Sequence, residues 1–524
     1  MDLLERANAG VAAELPADKR NWLYSLGGVV TAVSLYSAAH ITARLIASAN
    51  LGEDDPLDAI FIQTLAPGYL PRQPPLYDWM LWALERVTGP GALPFQLLKY
   101  TLLTAACAFI FASARRVMKG DAFWAFLSVE ALALIYQISW RFHEGFTHAV
   151  GAMCAVAAVL WAMLRLLERE RAGDYALFGL IAGLGLLTVT PFAIYLGALI
   201  GAAAIQPASR AALARAASLI SVAIALAVIS PYLFWLAGTP EGIAAILPEV
   251  MIGEPGYPRA ALTGLGRAFF EPVMYLAPLI FLYPLFFPRY LATLRQTVRL
   301  RPEGGMHADA EQLILHLTLL NIGALIVGAL VFGIDRYPVH ALMPLFLVTT
   351  IWLTAQARKA ARSEREVRRF LVMALGVAVF AFAARCANMY VQQPVCQICR
   401  WGIPYAGLAD TIKSRGFDHG RLVVYDGDLA GNLRRFFPHA TVVLAGPRRY
   451  IPPQGRADGS GKTALVWETP RRPNENIARS FVAVVPSLQA EALEGAETLR
   501  VPWRHHLWKP DGYRFSQWRL LVLD

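Results

Sequence analysis

Charged residues are scarce in this chain: Asp, Glu, Lys and Arg make up 16% of 524 residues, where a soluble domain carries about a quarter. So small a share excludes a string of soluble domains, and an apolar chain like this one is not intrinsically disordered. Cysteine is rarer still, with five residues in all, too few for a disulfide scaffold. The 40 glycines follow no one-in-three period, which excludes a collagen-like rod. What abounds is apolar: 56% of residues are hydrophobic and the mean hydropathy is +0.43. Apolar runs of bilayer-crossing length, about 17–25 residues, recur through the first three quarters. The chain therefore reads as a polytopic α-helical membrane protein. Its net charge of +10 does not indicate a nucleic-acid partner, because the positive residues sit in short loops between apolar runs.

The runs fall near 22–46, 96–114, 122–140, 149–164, 175–189, 191–205, 217–237, 273–287, 312–333, 338–356 and 370–389. The fifth and sixth are short and read as a bent hairpin split near Thr190–Pro191. Lys and Arg in alternate loops number eighteen on one side and six on the other. The positive-inside rule puts the richer side in the cytoplasm. The expectation is a cytoplasmic N-terminus over 1–21 without a cleavable signal, then about eleven helices over 22–389. Long outer loops are expected at 47–95 and 238–272, the second as a possible lid over a site.

Beyond 390 the pattern changes. The run "YAGLADTIKSRGF" (405–417) has helical spacing and ends at Gly416, while RLVVY (421–425), ATVVL (440–444) and FVAVV (481–485) read as buried strands. A small outer α/β domain over 390–524 follows. Cys396 and Cys399 form a C-x-x-C on the outer side; a disulfide is the leading reading, with a metal site or free thiols as alternatives. Cys107, Cys154 and Cys386 lie in apolar runs as packing residues.

Three outer stretches could carry chemistry. The first loop opens with Glu53, Asp54 and Asp55, with Asp58 close behind. Adjacent carboxylates buried beside a membrane raise one another's pKa and make a proton acceptor; the plainer alternative is a solvated helix start. Arg72 and Gln73 then precede Pro74-Pro75 and an interfacial run with Tyr77, Trp79 and Trp82. An acid cluster and a cation on one loop suit a lipid-linked anionic substrate. The second stretch holds Arg141, His143, Glu144 and His148, as substrate contacts or interfacial caps. Two histidines five apart fit one helical face poorly, so no metal is expected there. The third is a short turn with Asp335, Arg336 and His340, where Arg336 binds phosphate or pairs with Asp335. His40 and Arg44, four apart, share a face and read most simply as snorkelling to the interface.

Taken together, Asp54-Asp55, Gly68-Tyr69 and Pro74-Pro75-Leu76-Tyr77-Asp78-Trp79 make the chain resemble glycosyltransferase family 39. That family contains the dolichyl-phosphate-mannose protein mannosyltransferases and the aminoarabinose transferases, and this chain is most like its bacterial members. "LLKYTLL" (97–103), "IYQISWRFHEGFTHAVG" (135–151), "DYALFGLIAGLGLL" (174–187), "DRYPVHALMPL" (335–345) and "CQICRWGIPYAGLADTIKSRGF" (396–417) extend the likeness. The resemblance implies a GT-C-type architecture and an inverting transfer from a polyprenyl-phosphate sugar to a lipid, glycan or protein acceptor. The expectation is transfer on the periplasmic face of a bacterial inner membrane and no cofactor, with a divalent metal left open.

Carried onto this chain, Asp54 is the expected catalytic carboxylate and Asp55 its partner, with Glu53 leaving the register open by one residue. Arg72, Gln73 and Arg336 meet the donor phosphate, and Tyr69, His143, Glu144, His148 and His340 meet substrate. Two departures stand out. Gln73 occupies a position where many members have Lys, and Thr188-Val189-Thr190 stands where many bacterial members have Ser-Lys-Tyr. A lipid-linked-sugar transporter or a non-catalytic assembly protein on the same scaffold are the alternatives.

The orientation is checked by a cysteine placed at position 54. It is expected to react with a membrane-impermeant maleimide in spheroplasts, and labelling only after permeabilisation would reverse the topology.

Overall fold

The computed structural model describes residues 21–145, 147–240, 242, 256–297, 309–395, 400–453, 461–469, 475–503 and 515–523. Every apolar run is helical. Eight helices are long and apolar enough to cross a bilayer: Leu26–Ala47, Ala92–Val117, Thr147–Arg169, Ser218–Ala237, Arg259–Phe286, Ala310–Phe332, Val339–Ala360 and Glu364–Val391. Two more spans are broken. Ala122–Leu134 and Gln137–Glu144 meet at 72°, and Phe192–Ile205 and Pro207–Leu213 at 120°. The second break follows from Pro207, which forces Gln206 out of the helical region to φ −84°, ψ 130°. Ala172–Leu186 has 15 residues, about 22 Å of helix, short of a ~30 Å hydrocarbon layer. The count by length is therefore ten at most among the described residues, one below the expectation.

The chain turns between that short helix and the next over Leu187–Pro191, close to the anticipated break. This turn is tied to the 48–91 segment: the Leu76 N–H donates to the Leu187 carbonyl at 2.9 Å, and the Thr190 hydroxyl to the Arg72 carbonyl at 3.3 Å. The loop expected over 238–272 is shorter, because helix begins at Arg259. Arg259, Arg267 and Glu271 interrupt the apolar run over its first turns, which hid them. Gly264 lies so close to the Ile334 carbonyl that a Cβ there would stand 1.9 Å away, and Arg267 donates to the Asp335 carbonyl at 2.9 Å. Small residues also set the packing of Ala172–Leu186 on Ser218–Ala237, where Gly179 and Gly183 meet the backbone of Ser221 and Ala225. In lipid, close backbone approach replaces the hydrophobic drive for helix association.

The C-terminal unit is a five-stranded mixed sheet in the order β2-β1-β3-β5-β4. Its strands are β1 Gly420–Val424, β2 Ala440–Leu444, β3 Thr463–Glu468, β4 Glu497–Pro502 and β5 Phe515–Leu523. β1 runs parallel to β2 and β3, and β5 antiparallel to β3 and β4. Alternation decides the two faces. Leu422, Val424, Val442 and Val466 pack with the helices Tyr405–Ser414 and Gly427–Arg434, whereas Val423, Val443 and Leu465 pack with Ile477 and Phe481. The expected strand at 481–485 is instead the end of the helix Glu475–Val482 and the turn after it. Ile477, Phe481, Val484, Val485 and Leu488 recur at helical spacing and cover the sheet face; that periodicity outweighs the β propensity of Val.

The sheet unit grips the segment between the first two spans. Leu57, Ile60, Phe61 and Tyr69 belong to the same core as Leu408, Leu429 and Val442. The Gln63 side chain closes the free edge of β2, donating to the Val442 carbonyl and accepting from its N–H, both at 2.9 Å. Arg434 pairs with Glu85 and bonds the Ala59 carbonyl. Asn432 exchanges hydrogen bonds with the backbone of Leu51. At Gly431 a Cβ would stand 2.0 Å from the Pro56 carbonyl oxygen, whereas at Gly427 it would meet Leu57 Cδ1 at an ordinary 4.0 Å. Gly431→Ala is therefore expected to cost about 1–3 kcal/mol by overpacking, to lower the thermal midpoint and to expose the 48–91 segment to protease. Gly427→Ala is expected to leave both readouts unchanged.

Candidate active site

The segment "EDDPLDAIF" (53–61) orients its acids one by one. Glu53 takes a left-handed backbone conformation, φ +55°, and its carboxylate reaches Arg400 at 2.9 Å. Asp54 is exposed at the helix N-cap and makes no side-chain capping bond. Asp55 begins the seven-residue helix Asp55–Phe61, all of it buried. Three residues apart, Asp55 and Asp58 share one face, while Leu57, Ile60 and Phe61 pack into the sheet unit.

Asp55 is 3% exposed, and its Oδ1 makes no hydrogen bond. Burial pushes its carboxyl up to about 6, against the downward pull of the Lys99 and Arg44 cations. Lys99 projects from the Ala92–Val117 helix and is buried. Arg44 is buried too, so it does not snorkel. Its guanidinium bonds the Ser48 and Asn50 carbonyls and lies 3.7 Å from the ring centre of Trp401. A third buried cation, Arg385, comes from the last span. It reaches Glu144 at 3.0 Å, and its Nε and Nη2 make no hydrogen bond. Glu144 also takes Arg141 at 2.7 Å and the Trp140 indole N–H at 3.1 Å.

The π-helical turn Gln137–Arg141, a distortion frequent at functional sites, brings His143 and Glu144 to this cluster. The His143 ring is held by the hydroxyls of Tyr36 and Tyr100, each at 2.8 Å. It stacks on His40 at 3.8 Å between centroids and 4° between planes. His40 is thus part of an aromatic floor and is also buried.

A second buried group adjoins the first. His148 Nε2 lies 3.6 Å from Asp58 Oδ1 and 3.6 Å from Asp78 Oδ2. Burial pushes the Asp58 carboxyl up; His148 opposes the rise and the Asp78 charge adds to it. Among the described residues these three could hold a metal ion.

The remaining expected residues lie elsewhere. Arg72 is exposed. Gln73 closes a tight turn with Leu70, donating its N–H to the Leu70 carbonyl at 3.0 Å. The Tyr69 hydroxyl donates to the Thr64 carbonyl at 2.8 Å, and the ring packs under the sheet unit. Arg336 is 64% exposed and stands 4.0 Å from Asp335. His340 begins its helix within electrostatic reach of His148. Cys396 and Cys399 fall outside the described residues. Sequence reasoning passed over Lys99, Arg385 and Asp78. A lone Lys or Arg inside an apolar span is the signal that marks the first two, because a charge there is costly unless it has a task; Asp78 carries no such mark.

A helical membrane bundle capped by a small α/β domain, with carboxylates and cations buried where the two meet, is a GT-C-type architecture. Residues 72–235 match the family described as dolichyl-phosphate-mannose-protein mannosyltransferase. The chain is 22% identical over 499 residues to the lipopolysaccharide core galacturonosyltransferase RgtB of Rhizobium johnstonii, covering 95% of this chain and 97% of that one. It is 26% identical over 473 residues to RgtA of the same organism, covering 88% and 90%. The fold is similar to that of ArnT from Cupriavidus metallidurans bound to undecaprenyl phosphate, with TM-score 0.57, 14% identity and coverage of 95% and 98%. The apo state of that protein gives 0.54, with 14% identity and 94% and 98% covered. The chain is thus similar to membrane glycosyltransferases in sequence and in fold.

Proposed function

We propose that the chain transfers a sugar, with inversion, from a polyprenyl-phosphate donor to an envelope acceptor on the periplasmic face of a bacterial inner membrane. The observation that carries this reading is the buried Asp55 carboxyl set within electrostatic reach of Lys99 and Arg44, with Arg385 close to both. These three cations hold the donor phosphate, a role the sequence had given to Arg72, Gln73 and Arg336. The ArnT structure with undecaprenyl phosphate supports a polyprenyl carrier. The names of RgtA and RgtB make galacturonic acid and a lipopolysaccharide core the first donor sugar and acceptor to test.

Asp55 takes the proton of the acceptor hydroxyl as its oxygen bonds the anomeric carbon, and the anomeric carbon–phosphate oxygen bond breaks on the opposite face. Negative charge gathers on the departing phosphate, where fixed cations in a dry site stabilise it without reorganisation. Asp54, exposed beside it, acts only as a neighbouring charge. The Tyr36, Tyr100, His40 and His143 set positions the Lys99–Arg385 side of the site.

Purified protein supplied with radiolabelled undecaprenyl-phosphate galacturonic acid and a core acceptor is expected to label the acceptor. Asp55→Asn is expected to lower turnover by about 10²–10⁴-fold, the usual worth of a general base, while Asp54→Asn leaves the rate near wild type. Full turnover in Asp55→Asn would remove that carboxylate from the reaction.

The pH profile gives a separate check. Below about 6 the Asp55 carboxyl is protonated and cannot accept a proton, so kcat/KM should rise with pH through about 6 and then level. Lys99→Met removes a charge that pulls this carboxyl down, so the rising limb of the residual activity should move to higher pH.

A further inference from the structure

Asp58, Asp78 and His148 are far apart in sequence and converge from three elements: the short Asp55–Phe61 helix, the helix Leu76–Thr88 and the span Thr147–Arg169. They are 1%, 1% and 6% exposed. One donor atom from each lies within 4.8 Å of the others. The two contacts of His148 Nε2, at 3.6 Å, are too long for hydrogen bonds. Neither imidazole nitrogen has a hydrogen-bond partner, and neither does Asp58 Oδ2 or Asp78 Oδ1. The Tyr77 ring stands beside the imidazole, 5.1 Å between centroids.

Two buried carboxylates that share one imidazole, one oxygen of each and both ring nitrogens lacking a hydrogen bond, form an arrangement that burial penalises heavily. A dication among them removes the penalty for both. The two 3.6 Å contacts of His148 Nε2 come close to the ~3.3–3.5 Å that separates two ligands of a tetrahedral ion at the usual zinc–nitrogen and zinc–oxygen distances. We propose that Asp58, Asp78 and His148 bind one divalent cation, zinc or manganese. An imidazole among two carboxylates favours such ions over magnesium or calcium. Three protein ligands leave a position for water or a substrate oxygen. The cation ties the Asp55–Phe61 helix to the bundle one turn beyond Asp55, so it fixes the helix that presents that carboxylate. Cation binding stands independently of the transfer reaction proposed above, because it is measured without donor or acceptor.

The test uses full-length protein in detergent, stripped with EDTA, incubated with zinc or manganese chloride and desalted. Elemental analysis is expected to find one equivalent of metal in wild type, and a loss of at least tenfold in Asp78→Asn and His148→Ala. Metal should also raise the thermal midpoint of stripped wild type, because it binds only the folded chain, and should leave that of either variant unmoved. X-ray absorption on zinc-loaded wild type reads the ligands without any substitution. One imidazole with oxygen neighbours supports the site, whereas sulfur or several imidazoles would overturn it. Folded wild type that retains no metal, or variants that retain as much as wild type, would also overturn it.

Discussion

A seven-residue helix wedged between a membrane bundle and a soluble sheet is the constraint on which the rest of this molecule depends. Asp55–Phe61 is too short to hold its own shape, since isolated helices of fewer than about 12 residues are marginal in water. It persists because its two faces are claimed by different partners. Leu57, Ile60 and Phe61 complete the core of the sheet unit, and Asp55 and Asp58 turn toward the bundle, where Lys99, Arg44 and His148 act on them. The close approach of Gly431 to Pro56 and the Arg434–Glu85 pair lock that orientation. Release of the sheet unit would let the helix fray and carry both carboxylates into water.

The cluster also shows how a membrane transferase can keep charge near lipid. A lone buried ion is costly in a low-dielectric surrounding, and the same surrounding strengthens any interaction that compensates it. Three buried cations among the described residues share Asp55 and Glu144, and the site therefore suits an additional anion. The chain bends where it must to assemble this set: the break after Leu134 and the π turn deliver His143 and Glu144, and the last span delivers Arg385. The aromatic floor of Tyr36, His40, Tyr100 and His143 gives the cations a rigid backing, the pre-organisation that charge stabilisation in a transition state requires.

Parts of this were legible from residues alone. Apolar runs set by bilayer thickness located every span, and the Asp54–Asp55 and Pro74–Pro75 motifs pointed to the segment that carries the site. Within that segment the acid expected to lead, Asp54, lies exposed, and its neighbour Asp55 is buried. Adjacent residues on a helix start diverge by about 100°, and composition does not say which one turns inward. Arg72 and Arg336 stood out as cations near lipid, yet exposure separates them from the buried cluster. Lys99 and Arg385 carried the stronger signal, a single charge inside a long apolar run.

Length, hydropathy and loop charge by themselves determined that the chain is a multi-pass membrane protein followed by a small α/β unit, because those properties are local and additive along the sequence. Which side chains meet was decided only by the tertiary structure. His148 looked unsuited to metal when compared with His143 five positions away, and it found Asp58 and Asp78 across two other helices. Lys99 likewise found Asp55 across a gap in sequence that no periodicity spans. Such meetings depend on crossing angles, breaks and close glycine contacts, and these are fixed only when the helices pack together.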